Sequence, residues 1–228
     1  MEERIRQLDR LAALGRFASS VAHELRNPLT GIATGVQYLS RGFPEGDERH
    51  ESVTFILREV TRLNTIIQDL FTASKPRNLA PVRVDLREVL SRTLRGLKPA
   101  PEEAGVTIQL QDAETWPWVT ADPDQLQQVL LNLIQNAVQA TASGGLVTVR
   151  AHEEGDRRVI EVADTGSGIT AEDLPRIFDP FFTTRRKGTG LGLFVAHGIV
   201  QRHQGTLEVS SEPGKGTTFR IQLPAHPA

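Results

Sequence analysis

The feature that most restricts what this 228-residue chain can fold into is a change of hydrophobic period near residue 75. Before it, apolar residues recur at heptad spacing. Leu11, Leu14, Ala18, Val21 and Leu25 step alternately by three and four, and so do Val53, Ile56, Val60, Leu63, Ile67 and Leu70. Such a stripe belongs to a helix that lays one narrow face against another helix. The stretch "RGFPEGDE" (41–48) separates the two runs with a Gly/Pro/acidic turn, which predicts a helical hairpin. One hairpin with one narrow stripe buries little apolar surface. The expected remedy is a second copy of the chain, completing a dimeric four-helix bundle.

Beyond "KPRNLAP" (75–81) helices alternate with short β-rich runs. "VRV" (82–84) and "VTIQL" (106–110) read as strands, and "DLRE" (85–88) as a capping box opening a helix. Asp122 and Pro123 supply a cap and a first-turn proline for a helix reaching about Ala142. "LVTVRAH" and "RRVIEVAD" pair across "EEGD". A helix from about Leu191 to His203 precedes "TLEVSS" and "TTFRIQL", joined by "EPGKG". Neighbouring strands with helices on one face predict an α/β sandwich with a mixed sheet. The expected division is a helical domain at 1–76 and an α/β domain at 77–228.

Composition narrows the chemistry. With no cysteine there is no disulfide framework, thiol nucleophile or thiolate metal site, and a net charge of −2 offers no general attraction to nucleic acid or anionic lipid. No apolar run is long enough to insert in a bilayer, and the acidic start "MEERIRQLDR" is no secretion signal, so a cytoplasmic location is expected.

Four polar constellations stand out. With Leu25 at heptad position a, His23 falls at f and Asn27 at c, both facing away from the stripe. Glu24 can hold one imidazole nitrogen and leave the other as nucleophile, while Pro28 removes a helical N–H and predicts a bend beside it. Asn132 and Asn136, four apart on one helix, can offer amide oxygens to a hard cation such as Mg2+. "DTGSGI" places Asp164 at a strand end, where a buried carboxylate can accept from an exocyclic amine. Gly166 and Gly168 there allow close approach to a flat ligand. Finally "KGTGLGL" puts Gly188, Gly190 and Gly192 before a helix, the arrangement that binds anions, with Arg185, Arg186 and Lys187 just upstream. Each pattern alone has an ordinary explanation as surface or turn. Their order is what makes them specific.

In that order the chain resembles the bacterial sensor histidine kinases of two-component systems. "HELRNPL" is similar to the family's H box, "NLIQNAVQA" to its N box, "DTGSG" to G1, "IFDPFFTT" to the F box and "GTGLGL" to G2. The longer stretch "RLAALGRFASSVAHELRNPL" (10–29) and the short lid are most similar to the nitrogen-regulation type. The resemblance implies that the ATP γ-phosphoryl moves to His23, with Glu24 as acid/base partner, and then to an aspartate on a response regulator receiver domain. It implies that Asn136 ligates Mg2+ with help from Asn132, and that Asp164 reads the adenine amine. Gly166, Gly168, Arg185, Lys187, Gly188, Thr189, Gly190, Leu191 and Gly192 are implied to bind ATP or ADP. Asn27 matches a position that orients water to dephosphorylate the regulator. The resemblance implies that the chain is the cytoplasmic part of a larger sensor.

ATP-hydrolysing relatives place a glutamate four residues before the metal-binding Asn, and here that place is taken by Asn132, which cannot accept a proton. Histidine rather than water is therefore the expected acceptor. The alternative, a catalytically silent nucleotide-binding dimerisation scaffold, is disfavoured because His23, Asn136, Asp164 and the glycines are all present. Among the F-box aromatics, Phe178 is expected in the core, with Phe181 and Phe182 bordering the lid.

Overall fold

The computed structural model describes residues 27–44, 47–74, 79–97, 101, 104–111, 116–185 and 188–225. It divides into two units, Met1–Arg77 and Asn78–Ala228. His23, Glu24, Arg186 and Lys187, with the stripe residues Leu11 to Leu25, lie outside the described residues.

In the first unit, residues 27–40 form helix α1 and Arg49–Ser74 form α2. Asp47 stops the turn and starts α2. Its Oδ1 accepts from the Arg49 backbone N–H at 2.9 Å, and the Arg49 side chain returns to the same carboxylate at 2.9 and 2.6 Å. Those bonds hold the Asp47 carboxyl down to about 2. Arg49 also lies 4.2 Å from the centre of the Phe43 ring, which folds the turn over the helix start. The apolar stripe resolves into two rows, not one. Leu29 and Val60 are buried, and Val36, Val53 and Ile67 half-buried, whereas Ile32, Leu39, Ile56 and Leu63 remain exposed at 49, 63, 39 and 45%. Pro28 sits in the first described turn of α1, exposed, and the segment where it was expected to cause a bend lies outside the described residues.

In the second unit Val82–Asp85 (β1) pairs antiparallel with Trp118–Ala121 (β3), and Asp85 caps Leu86–Arg95 (α3). The cap bond runs from the Arg87 N–H at 2.8 Å, not from Glu88, so it is a simple Asx cap where a capping box was expected. Leu86, Val89, Leu90 and Thr93, at helical spacing, turn inward. A mixed sheet follows in the order β2-β4-β5-β7-β6, built from Thr107–Leu110, Leu146–Glu154, Arg157–Asp164, Gly216–Pro224 and Thr206–Glu212. Only β2 and β4 are parallel. Helices α4 (Pro123–Ala140) and α5 (Gly192–Arg202) pack on this sheet and on each other.

Register sorts the side chains into rows across the sheet. Val149, Val162, Phe219 and Val209 form one row, and Ala151, Ile160, Ile221 and Leu207 the next, both on the helix-covered face. On the opposite face Arg150, Glu161, Arg220 and Glu208 alternate in charge from strand to strand. Glu161, only 4% exposed, is bridged by Arg150 on one side and by Arg220 at 3.1 Å on the other. A buried carboxylate needs such pairing, since an isolated one would be strongly destabilising.

The expected Asp122 cap starts α4, and the structure adds Ala80 and His203 to it, partners that sequence patterns did not single out. Asp122 Oδ1 accepts from the N–H groups of Asp124 and Gln125, each at 3.1 Å, and Oδ2 accepts from Ala80 N–H at 3.3 Å. The Asp122 N–H donates to Nε2 of the buried His203 at 3.0 Å, while Nδ1 of that ring lies 2.9 Å from the Ile199 carbonyl. His203 is thereby set as the tautomer that donates from Nδ1. Burial alone would raise the Asp122 carboxyl, but the N–H groups of Gln125, Ala80 and Asp124 outweigh it and hold it below the usual range. Asp122→Ala should lower the stability of this unit by about 1–2 kcal/mol. Trp116 and Trp118 are the only tryptophans and both belong to this unit, so urea unfolding followed by tryptophan fluorescence isolates its midpoint.

Candidate nucleotide site

Helix α4 has two faces. Leu126, Val129, Leu130, Leu133, Ile134 and Ala137 are buried, and each fully buried Leu or Ile contributes about 1.5–3 kcal/mol. On the other side Asn132, Asn136, Gln139 and Ala140 follow one another at helical spacing and meet, in turn, every loop from which site residues were expected.

Asn132 comes first. Its Nδ2 donates to the Gly192 carbonyl at 3.0 Å and so ties α4 to the first residue of α5. The amide is used to position α5, with Oδ1 as its remaining acceptor. Helix α5 begins at Gly192, and its N-cap position is Leu191, whose apolar side chain makes no cap bond and is fully buried. The first-turn N–H groups are therefore left without a side-chain acceptor, which is the local condition for binding an anion. Leu191 can meet a ligand only through its backbone. Thr189 orients that backbone, its Oγ1 accepting from Leu191 N–H at 3.3 Å.

One turn along α4, the Asn136 Oδ1 accepts from Arg185 Nη1 at 3.0 Å. The Asn136 carbonyl accepts from Nη2 at 2.9 Å, and Gln139 Oε1 from Nη1 at 2.9 Å. Burial lowers the Arg185 pKa, against the opposing pull of Asp164. Gln139, which sequence patterns did not single out, is thus part of the same cluster. Its only sequence signal is its place one turn beyond Asn136.

At the end of α4 the Asp164 loop docks. Asp164 belongs to the row Val147, Asp164, Thr217, Ser211, so it points to the helix-covered face and is 8% exposed. Its Oδ1 accepts from Gly166 N–H at 2.8 Å and Thr217 N–H at 3.2 Å. Burial pushes the carboxyl above its ordinary value, and these two bonds and the Arg185 charge only partly oppose that. Ser167 N–H donates to the Ala140 carbonyl at 3.1 Å.

Contacts within the protein by themselves require glycine at several of these positions. A Cβ on Gly166 would stand 2.5 Å from the Ala140 carbonyl oxygen. Gly168 has φ +69° and would drive a Cβ into the Glu212 carbonyl, where the β6–β7 turn crosses it. Gly190, also at φ +69°, faces the Phe181 backbone, whose N–H donates to the Gly190 carbonyl at 2.9 Å. Gly188 is similarly crowded by the Thr183 side chain, while Gly192 makes only ordinary contact with Asn132.

The Phe181–Gly190 bond closes the base of the loop carrying Arg185. Phe181 is a non-glycine residue at φ +66° and is 54% exposed. Phe182 packs under Arg176, 4.5 Å from ring centre to guanidinium. Phe178 is half-buried and stacked on His197 at 4.8 Å, so it is a rim residue; the buried member of the segment is Ile177. The site thus assembles Asn132, Asn136, Asp164, Gly166, Gly168, Arg185 and the Gly188–Gly192 segment within one unit. Asn27, exposed on α1, belongs to the other.

The donors fit a nucleotide and a divalent cation. Asn136 Oδ1 already holds a cationic group, Asp164 is a buried acceptor, and the α5 start offers N–H groups to an anion. Among the described residues no cluster of three His, Cys, Asp or Glu exists, so a cation here would rest on amide and ligand oxygens, as Mg2+ readily does.

Residues 121–227 match the family described as histidine kinase-, DNA gyrase B- and HSP90-like ATPase, and residues 13–79 match the His Kinase A (phospho-acceptor) domain. Together they span most of the chain. Sensor histidine kinase ZraS of Escherichia coli (strain K12) is 40% identical over 99% of this chain and 49% of its own length. Sporulation kinase E of Bacillus subtilis (strain 168) is 36% identical over 98% of this chain and 30% of its own. Among solved structures, full-length ShkA in complex with AMPPNP superposes with a TM-score of 0.79 at 28% identity, covering 93% of this chain and 46% of that one. Histidine kinase ThkA in complex with response regulator protein TrrA gives 0.71 at 28% identity, covering 99% and 66%. The chain belongs to the sensor histidine kinases of two-component systems. It spans about half the length of ZraS and less of sporulation kinase E. Among the described residues no helix is long and apolar enough to cross a membrane.

Asp164→Asn keeps an acceptor for both N–H groups while removing the buried charge. Because the folded carboxyl titrates above its unfolded value of 3.8, ionisation opposes folding as pH rises through that window. The variant should melt higher than the parent at pH 7, with the gap closing as pH falls towards 3.8. It should bind ADP more weakly because the charged acceptor is lost. Thermal scans across pH beside ADP calorimetry check both.

Proposed function

We propose that the chain is the ATP-dependent kinase core of a sensor histidine kinase, with residues 1–76 as dimerisation and phosphoacceptor domain and 77–228 as ATP-binding domain. The observation that carries this is the ordered edge of α4. It gathers an amide oxygen suited to a cation at Asn136, the buried carboxylate of Asp164 and the uncapped start of α5 around one space. An adenine amine would donate to Asp164, and the phosphates would lie towards the α5 N–H groups. Mg2+, when bound, neutralises phosphate charge, and Asn136 would hold it with Asn132 beside it. Asn132 carries no base, so the site has no glutamate to activate water there. The acceptor is His23. An imidazole nitrogen attacks the γ-phosphorus, an N–P bond forms as the bond to ADP oxygen breaks, and Glu24 takes the imidazole proton. Positioning and charge neutralisation supply most of such a rate. The phosphoryl then passes to an aspartate of a response regulator.

The exposed row Ile32, Leu39, Ile56 and Leu63 supports a homodimer. These residues recur seven apart on each helix, and a second copy would cover them. Asn27, four residues after His23 in sequence and exposed, suits a role in orienting water against the phosphorylated regulator, a second and opposing activity. In length the chain corresponds to about half of a ZraS-like protein. That supports reading it as the cytoplasmic part of a larger sensor.

Incubation with γ-labelled ATP and Mg2+ should place an acid-labile, base-stable label on the protein, and His23→Gln should abolish it. Labelling of the variant equal to the parent would sink the assignment. Asn27→Ala should label normally yet slow the loss of phosphate from a phosphorylated receiver domain, read as the half-life of that species with and without the kinase.

A further inference from the structure

Arg185 makes three hydrogen bonds to α4, and all three end on oxygens of Asn136 and Gln139. One of those oxygens, Asn136 Oδ1, is the atom assigned above to the divalent cation. A guanidinium and a magnesium ion on that one oxygen would repel each other, because both are cations, so the two compete for it. The acceptor set is also unusual for an arginine. Among the described residues no carboxylate is in hydrogen-bond contact with it; its acceptors are two amide oxygens and one backbone carbonyl, with the Asp164 charge acting from further off. The loop bearing Arg185 is closed at its base by the bond from Phe181 N–H to the Gly190 carbonyl, so the guanidinium can leave α4 without opening the loop's foundation.

We infer that Arg185 is a positioning residue that occupies the metal-binding amide of Asn136 and is displaced when a divalent cation arrives with the nucleotide. This rests on the nucleotide-binding reading above. Occupied by Arg185, the Asn136 amide is held in one rotamer with its oxygen facing the site, and the cluster's polar atoms are satisfied without a ligand. The incoming cation takes the oxygen, repels the guanidinium and frees it for the anionic phosphates. Displacement therefore couples two events that would otherwise be independent, cation binding on α4 and movement of a positive side chain onto the nucleotide. Gln139 tunes the exchange. It is exposed, and its Oε1 is the second anchor of Nη1.

The test measures ADP binding by calorimetry at a series of Mg2+ concentrations, using the full chain and no turnover. The readout is the Mg2+ concentration at which ADP affinity is half-way to its maximum. In Arg185→Ala that concentration should fall by about three- to ten-fold, the competitor having been removed from a partly exposed charged hydrogen bond. Gln139→Ala should shift it the same way by a smaller factor, and tryptophan-monitored melting confirms that both variants fold. A residue serving only as a phosphate contact gives a different pattern: weaker ADP binding with an unchanged or higher Mg2+ midpoint. That pattern overturns the inference while leaving the nucleotide site intact. No ADP binding by the parent at any Mg2+ concentration overturns the nucleotide reading, and the inference with it.

Discussion

Helix α4 has to satisfy two surfaces at once, and everything functional in the larger unit depends on that. Its apolar face is locked onto the sheet by Leu126, Val129, Leu130, Leu133 and Ile134. Because the helix cannot rotate without exposing them, its polar edge is held at a fixed angle to the sheet. Asn132, Asn136, Gln139 and Ala140 on that edge receive the α5 start, Arg185 and the Asp164 loop in order. The joint at Asp122, with His203 beneath it, sets where the helix begins and so which level each loop meets. Under the proposed function the ATP domain needs no elaborate catalytic group; it needs a nucleotide held in one place, the task a rigid helix edge suits.

The two buried carboxylates illustrate how neighbouring strands handle charge differently. Glu161 is flanked by arginines on both adjacent strands, so its charge is balanced within the sheet. Asp164, three residues later and on the opposite face, receives only backbone N–H groups and a more distant Arg185. Burial therefore leaves it with an elevated pKa and an affinity for a further donor. A site that is slightly unfavourable in itself is what a hydrogen-bond donor on a ligand can relieve. The strained backbone at Phe181, beside an exposed ring, is another such place at the edge of the same site.

Much of this was legible in the order of residues. The Asp122–Pro123 start, the β4–β5 and β6–β7 hairpins and the mixed sheet follow from local turn chemistry and two-residue alternation, which need no knowledge of distant partners. The β1–β3 pair was half missed: "VRV" was read as a strand, but Trp118–Ala121 lies behind Pro117 and its partner is remote in sequence. Phe178 was expected in the core because three phenylalanines in five residues look apolar, whereas a stack on His197 holds it at the rim. The hairpin stripe was read as one row, and only packing divided it into a row covered within the chain and a row left open.

The sequence by itself determined the family, the fold class and the spacing of Asn132, Asn136, Asp164 and the glycines, because spacing along a helix or strand is a local property. Tertiary structure alone decided which groups of the protein those residues hold. Gly166 and Gly168 are glycines because α4 and the β6–β7 turn press against them. Asn132 spends its amide nitrogen on Gly192, and Arg185 lies on Asn136, forty-nine positions away in sequence. No periodicity encodes such contacts. They arise where elements separated by long stretches of chain are brought side by side, and the chemistry of each group is then set by neighbours that the local sequence does not name.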